Sequence, residues 1–177
     1  MLLADPTVFT VIDSYSIELI FPIRQGRSPQ QGGKKGQDKG RWRGGITLCW
    51  LVNALCRVVA WEWDTMTGTD QRFNPLVEQF NGQTIPLADY GCRDHDGVPA
   101  NMTICQKGTW HERMGVETAW SLVTVSCELK RIRHRVAGYI QARLAVGSAM
   151  GNVLMDVFQR IHPDADPDKM SIAECSL

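Results

Sequence analysis

The apolar residues of this chain change period once. Up to about residue 106 they come in short runs rich in β-branched and aromatic side chains, and from Thr109 onward they recur with helical spacing. Residues 7–13 read as a strand whose last residue is Asp13. Ile46 to Val52 and Arg57 to Trp63 are two apolar runs separated by residues 53–56, a hairpin without an Asn-Gly turn signal. Phe73 to Phe80 suits a short helix starting at Pro75, and Asn81 and Gly82 end it. Residues 83–89 form the next strand, ending in Asp89, residues 91–99 a loop, and Met102 to Gln106 a further strand. Beyond Thr109, Met114, Thr118, Leu122 and Val125 fall near one helix face, with Arg113 and Glu117 on another. A long helix is expected from Arg131 to Ile161, closed by Pro163 and Pro167. That order predicts one α/β domain, a sheet with helices on its faces.

A chain of 177 residues, 44% hydrophobic, can bury the core such a domain needs. Its formal net charge is zero, which excludes a histone-like polyanion binder, so affinity for nucleic acid would have to come from segregated charge. Segregation is present. From Arg24 to Arg43 the basic residues Arg24, Arg27, Lys34, Lys35, Lys39, Arg41 and Arg43 face the single acid Asp38, in a segment nearly devoid of apolar residues. This basic loop, 24–45, is expected to be mobile or the tip of a hairpin. A second cluster, Lys130, Arg131, Arg133, His134 and Arg135, follows Glu117 by about four helical turns. Six cysteines without a CxxC pair, and no export signal ahead of them, predict reduced, mostly buried thiols in a cytoplasmic protein. The longest apolar stretch, Val136 to Phe158, is interrupted by Gln141, Arg143, Asn152 and Asp156, so no membrane span and no membrane partner are expected.

Asp13 and Asp89 at strand ends and Glu117 on a helix, with Arg113 one turn before it, are what a fold needs to hold two divalent ions a few ångströms apart. Ordinary roles compete for each: a turn former for either aspartate, and an i, i+4 pair for Arg113 and Glu117. Glu112 lies near the helix start, where the helix dipole favours an acid for that reason alone. Asp64 and Asp70 bound a polar loop and read as solvated turn acids. Cys92, His95, Cys105 and His111 form a rival zinc constellation, weakened by the lack of compact ligand pairs and by Cys105 lying in an apolar strand. Trp42 reads equally as a base-stacking platform or an anchor for its loop, and Trp50, Trp61 and Trp63 as core.

The strings Val11 to Ile17 and Leu87 to Gly91 resemble the first- and second-aspartate strands of insertion-sequence transposases of the Asp-Asp-Glu type. Trp110, Arg113 and Glu117 echo that family's Tyr-x2-Arg-x3-Glu-x6-Lys signature, with Trp110 in place of the Tyr and Thr124 in place of the Lys. The resemblance spans nearly the whole chain and implies an RNase H-like mixed sheet flanked by helices. Residues 1–177 would be the transposase catalytic domain, without the N-terminal DNA-recognition region that precedes the first aspartate in the family. It further implies two Mg²⁺ (or Mn²⁺) ions held by Asp13, Asp89 and Glu117, and cleavage and strand transfer of DNA at transposon ends and target. Arg113 would meet the scissile phosphate, with Lys34, Lys35, Arg41, Arg43, Lys130, Arg131 and Arg133 on the flanking backbone. The implied setting is the nucleoid of a bacterial cytoplasm, with a homodimer in the full-length protein. Two alternatives share these residues: a catalytically inactive DNA-binding remnant, and a host nuclease of the same fold.

Overall fold

The computed structural model describes residues 3–19, 30, 32–38, 41–67, 69–93, 97–106, 111 and 113–170. In chain order the elements are β1 (Phe9–Leu19), β2 (Lys34–Asp38), β3 (Arg41–Asn53), β4 (Val58–Thr65), α1 (Asn74–Glu78), β5 (Ile85–Ala88), β6 (Thr103–Ile104), α2 (Arg113–Ser126), β7 (Arg131–Ile132) and α3 (Ala137–Ile161). The sheet is mixed. β4, β3 and β1 run antiparallel to their neighbours, and β5 and then β6 continue from β1 in parallel. Three antiparallel strands followed by two parallel ones, with helices packed on the sheet, is the RNase H-like arrangement. The β2–β3 hairpin prolongs this sheet at one end, and β7 pairs with the last residues of β1 where β5 no longer reaches.

The pleat sorts β1 and β3 into two faces, because alternate residues point to opposite sides of a sheet. Val11, Tyr15, Ile17 and Leu19 face the core shared with α2 and α3, together with Ile46, Leu48, Trp50 and Val52 of β3. Ile12, Cys49 and Leu51 face the other way, against Phe73, Leu76 and Val77 around α1. Trp50, fully buried, stacks on Trp120 of α2 with ring centroids 3.8 Å apart, and Tyr15 stacks on the same indole at 4.9 Å. Trp50 Nε1 donates to Ser148 Oγ of α3 at 3.0 Å, so the indole's polar edge is satisfied where it is buried.

Four boundaries differ from the sequence expectation. β1 does not end at Asp13 but runs on to Leu19, because Tyr15, Ile17 and Leu19 keep burying alternate positions. The buried face of α2 is Gly115, Val116, Ala119, Trp120, Leu122 and Val123, while Met114 and Val125 are exposed, since α2 turns its aromatic residue onto Trp50. α2 ends at Ser126 and the chain turns through Glu128 at φ +51°, so the basic cluster from Lys130 onward lies off that helix. The last long helix starts at Ala137 rather than Arg131, since residues 131–132 are taken up as β7.

Asn152 ties α3 to β4. Its Oδ1 accepts from the Val58 backbone N–H at 2.6 Å and its Nδ2 donates to the Val58 carbonyl at 2.9 Å, both buried. Asn152→Leu keeps the branched shape but orphans the Val58 N–H, at a cost of about 1–3 kcal/mol when buried without a partner, while the Val58 carbonyl still accepts from the Ala4 N–H. A loss of about 1–3 kcal/mol is expected in urea unfolding. An unchanged midpoint would mean that the N–H finds another partner.

Candidate functional site

The register of β1 against β5 pairs Val11 with Leu87, so two residues further on Asp13 and Asp89 come side by side on neighbouring parallel strands. Asp13 belongs to the row that faces α2, where it interrupts the apolar sequence Val11, Tyr15, Ile17. α2 begins at Arg113 directly over this gap, and Glu117 lies one turn further along. Arg113 gathers all three acids. Its Nε is 3.3 Å from Asp13 Oδ2 and 3.4 Å from Glu117 Oε1, and its Nη1 is 3.4 Å from Asp89 Oδ2. The sequence-predicted triad thus converges, but on a guanidinium: among the described residues no three His, Cys, Asp or Glu side chains close on one point as a metal's coordination shell does.

Each acid is oriented locally. Asp13 Oδ1 accepts from the Ser14 backbone N–H at 2.9 Å. Asp89 caps the short turn Tyr90–Cys92, accepting from the Gly91 N–H at 2.9 Å. Burial pushes the Asp13 carboxyl up to about 6, offset in part by Arg113 and the Ser14 N–H and reinforced by the charges of Asp89 and Asp70. Burial and the carboxylates of Asp70, Asp89 and Asp13 push the Cys92 thiol up to about 12, and burial raises Cys49 as well, so neither offers a thiolate. The donors here are carboxylate oxygens around a point already holding positive charge. That chemistry fits a hard divalent ion such as Mg²⁺ or Mn²⁺.

A fourth acid belongs to the cluster, and the reading of the sequence missed it. Asp70, expected to be a solvated turn acid, opens the turn before α1 and accepts from Ser14 Oγ at 2.6 Å. Gly91 leaves room for it. A Cβ there would sit 3.1 Å from Asp89 Oδ1 and 3.3 Å from Asp70 Oδ2, so the two carboxylates reach the same small space from opposite sides. The only sequence trace of Asp70 is Ser14, a hydroxyl in the β1 row that faces α1.

A groove of about 940 Å³ leads away from the acids between β1 and α2. Asp13, Arg113 and Glu117 stand on its walls together with Arg43 and Lys130, and Ser14, Tyr15, Ser16, Trp120, Ser121 and Thr124 complete its lining. Arg43 lies 3.8 Å from Glu18. Thr124, at the position of the signature Lys, donates to the Ser121 carbonyl at 3.0 Å. Arg133 is exposed just beyond β7 and is not among the groove residues. The backbones of Lys34, Lys35 and Arg41 lie in the β2–β3 hairpin and that of Arg131 in β7, while their side chains, and that of Trp42, fall outside the described residues. Trp110, Glu112 and His95 are outside them altogether, and with His95 goes one member of the zinc alternative. Cys49, Cys56 and Cys92 are buried and Cys105 and Cys127 half-buried. Among the described residues no helix is long and apolar enough to cross a membrane.

No model of a known protein family matches this chain, and no curated protein matches it.

Proposed function

We propose that this chain is the catalytic part of a DNA transposase, using two divalent ions to cleave a phosphodiester and transfer the freed strand. The observation that carries this reading is the convergence of Asp13, Asp89 and Glu117, from two strands and a helix, at a groove that also holds Arg43 and Lys130. Asp13, Asp89 and Glu117 would hold Mg²⁺ or Mn²⁺, with Asp70 beside them. Bound there, the ions activate the attacking oxygen and stabilise the leaving one. In the cleavage step water attacks phosphorus and a 3′-hydroxyl departs; in the transfer step that hydroxyl attacks a target phosphodiester and the target strand's own 3′-oxygen departs as a hydroxyl, with no bond to the protein at any stage. Arg113 supplies a planar donor fork for phosphate oxygens, and Arg43 and Lys130 supply charge along the strand's exit path. The hydroxyls of Ser121 and Thr124 on the α2 wall can accept from or donate to sugar and phosphate without adding charge.

The test is to mix the chain with duplex and nicked DNA and Mg²⁺ or Mn²⁺, at rising salt. Expected are nicks ending in 3′-hydroxyl, joined products, loss of both with a chelator, and binding whose logarithm falls against log salt with a slope of roughly −2 to −3 for three cationic contacts. Salt-sensitive binding without metal-dependent nicking would favour the inactive remnant. Nicking without joining would favour a nuclease of the same fold. Salt-insensitive binding would remove the groove from the account.

A further inference from the structure

Resting on the metal reading above, we propose that Arg113 is a built-in counter-cation of the site: it neutralises the acids in the absence of metal, and withdraws to a DNA phosphate when an ion enters. The guanidinium lies 3.3–3.4 Å from carboxylates of β1, the end of β5 and α2 at once. A divalent ion serving the same three oxygens would need the volume that the guanidinium fills. The arginine is therefore a competitor of the ion before it is a partner of the substrate.

The contacts are suited to exchange. Arg113 Nε is buried yet makes no hydrogen bond, although it is within ion-pair distance of both Asp13 and Glu117. Nη1 donates one hydrogen bond, long at 3.4 Å, to Asp89 Oδ2, so the guanidinium gives up little directed bonding by leaving. Its side chain, 38% exposed, lies on the groove wall and can turn into the groove without passing through the core. There the fork that is poorly used among the acids matches a phosphate's oxygens. Since coupling between two ligands is reciprocal, a phosphate that draws Arg113 away raises metal affinity by the same factor by which metal raises DNA affinity.

A DNA phosphate can also ligate an ion directly, so tightening by DNA does not isolate the arginine. The decisive comparison is made without DNA, by counting free Mn²⁺ from its paramagnetic resonance signal in titrations of the unaltered chain, Arg113→Gln and Arg113→Lys. Arg113→Gln should bind Mn²⁺ at least tenfold more tightly than the unaltered chain, and Arg113→Lys should fall between. As a measurement that needs no substitution, the Arg113 Nε–H proton resonance of the unaltered chain should shift as Mg²⁺ is added. Equal or weaker Mn²⁺ binding by Arg113→Gln, or an Nε–H resonance unmoved at saturating Mg²⁺, overturns the proposal while leaving the metal site standing. Absence of Mn²⁺ binding in all three chains overturns the proposal and the metal reading together.

Discussion

Asp89→Asn is expected to lower metal-dependent DNA cleavage by at least about 10³-fold, which corresponds to about 4 kcal/mol of lost transition-state stabilisation. The amide keeps the shape of the side chain, and its oxygen can still accept from the Gly91 N–H, so the turn Tyr90–Cys92 keeps its cap. What disappears is a negative charge that stands beside Asp13 on the neighbouring strand and opposite Asp70 across Gly91. The remaining contact is also reversed, because an amide nitrogen facing Arg113 Nη1 sets donor against donor where a 3.4 Å ion pair stood. Folding stability should change by no more than about 1 kcal/mol, as expected for a partly exposed carboxylate whose ion pair is screened by water. Single-turnover cleavage at saturating Mn²⁺, read alongside thermal unfolding, checks both halves. A rate within tenfold of the unaltered chain would take Asp89 out of the catalytic set.

The triad was legible because each member sits at a break in a local pattern. Asp13 interrupts a β-branched run, Asp89 directly follows the apolar residues Leu87 and Ala88, and Glu117 keeps helical spacing from Arg113. These are short-range signals, and the sheet register turns them into proximity without further information. Asp70 was not legible, because its place depends on a hydrogen bond from Ser14 across 56 residues of sequence, which no local window contains. The basic runs name Arg43 and Lys130, but that the two meet in one groove was not legible. One lies on β3 and the other just before β7, and they share a groove only because both strands flank β1.

The boundaries that moved did so for tertiary reasons. The strand as read from the sequence ends at Asp13, before Ser14, Ser16 and Glu18, but only alternate residues need be apolar when one face carries the core, and Tyr15, Ile17 and Leu19 supply them. Arg131 and Ile132 read as the start of the last long helix, yet the exposed edge of β1 beyond β5 recruits them as a strand. On α2 the choice of buried face was settled by Trp120 stacking between Tyr15 and Trp50, a contact worth more than the burial of Met114.

Asp13→Asn is expected to stabilise the metal-free fold at neutral pH while removing metal-dependent activity. In the folded chain the Asp13 carboxyl is pushed from 3.8 up to about 6, chiefly by burial, so the folded state holds a proton that the unfolded chain gives up earlier. The sign follows. Stability from this group is fully present below the unfolded value, falls as pH rises through the folded one, and is gone above it. A shift of about two units at about 1.4 kcal/mol each sets an upper bound of about 3 kcal/mol. With a chelator present, the unaltered chain should therefore lose stability between about pH 4 and 6. The Asn variant should lose less, unfolding higher at pH 7.5, by at most about 10 °C for a chain of this size, and nearly together with the unaltered chain at pH 4. Added Mn²⁺ should reverse the order, since only the unaltered chain keeps the full ligand set and gains stability from a bound ion. Equal unfolding temperatures at pH 7.5 without metal would mean that Asp13 lies charged at no disadvantage, its burial fully offset by Arg113, and that the strain of holding an acid in the apolar row of β1 is not there to be relieved by a metal.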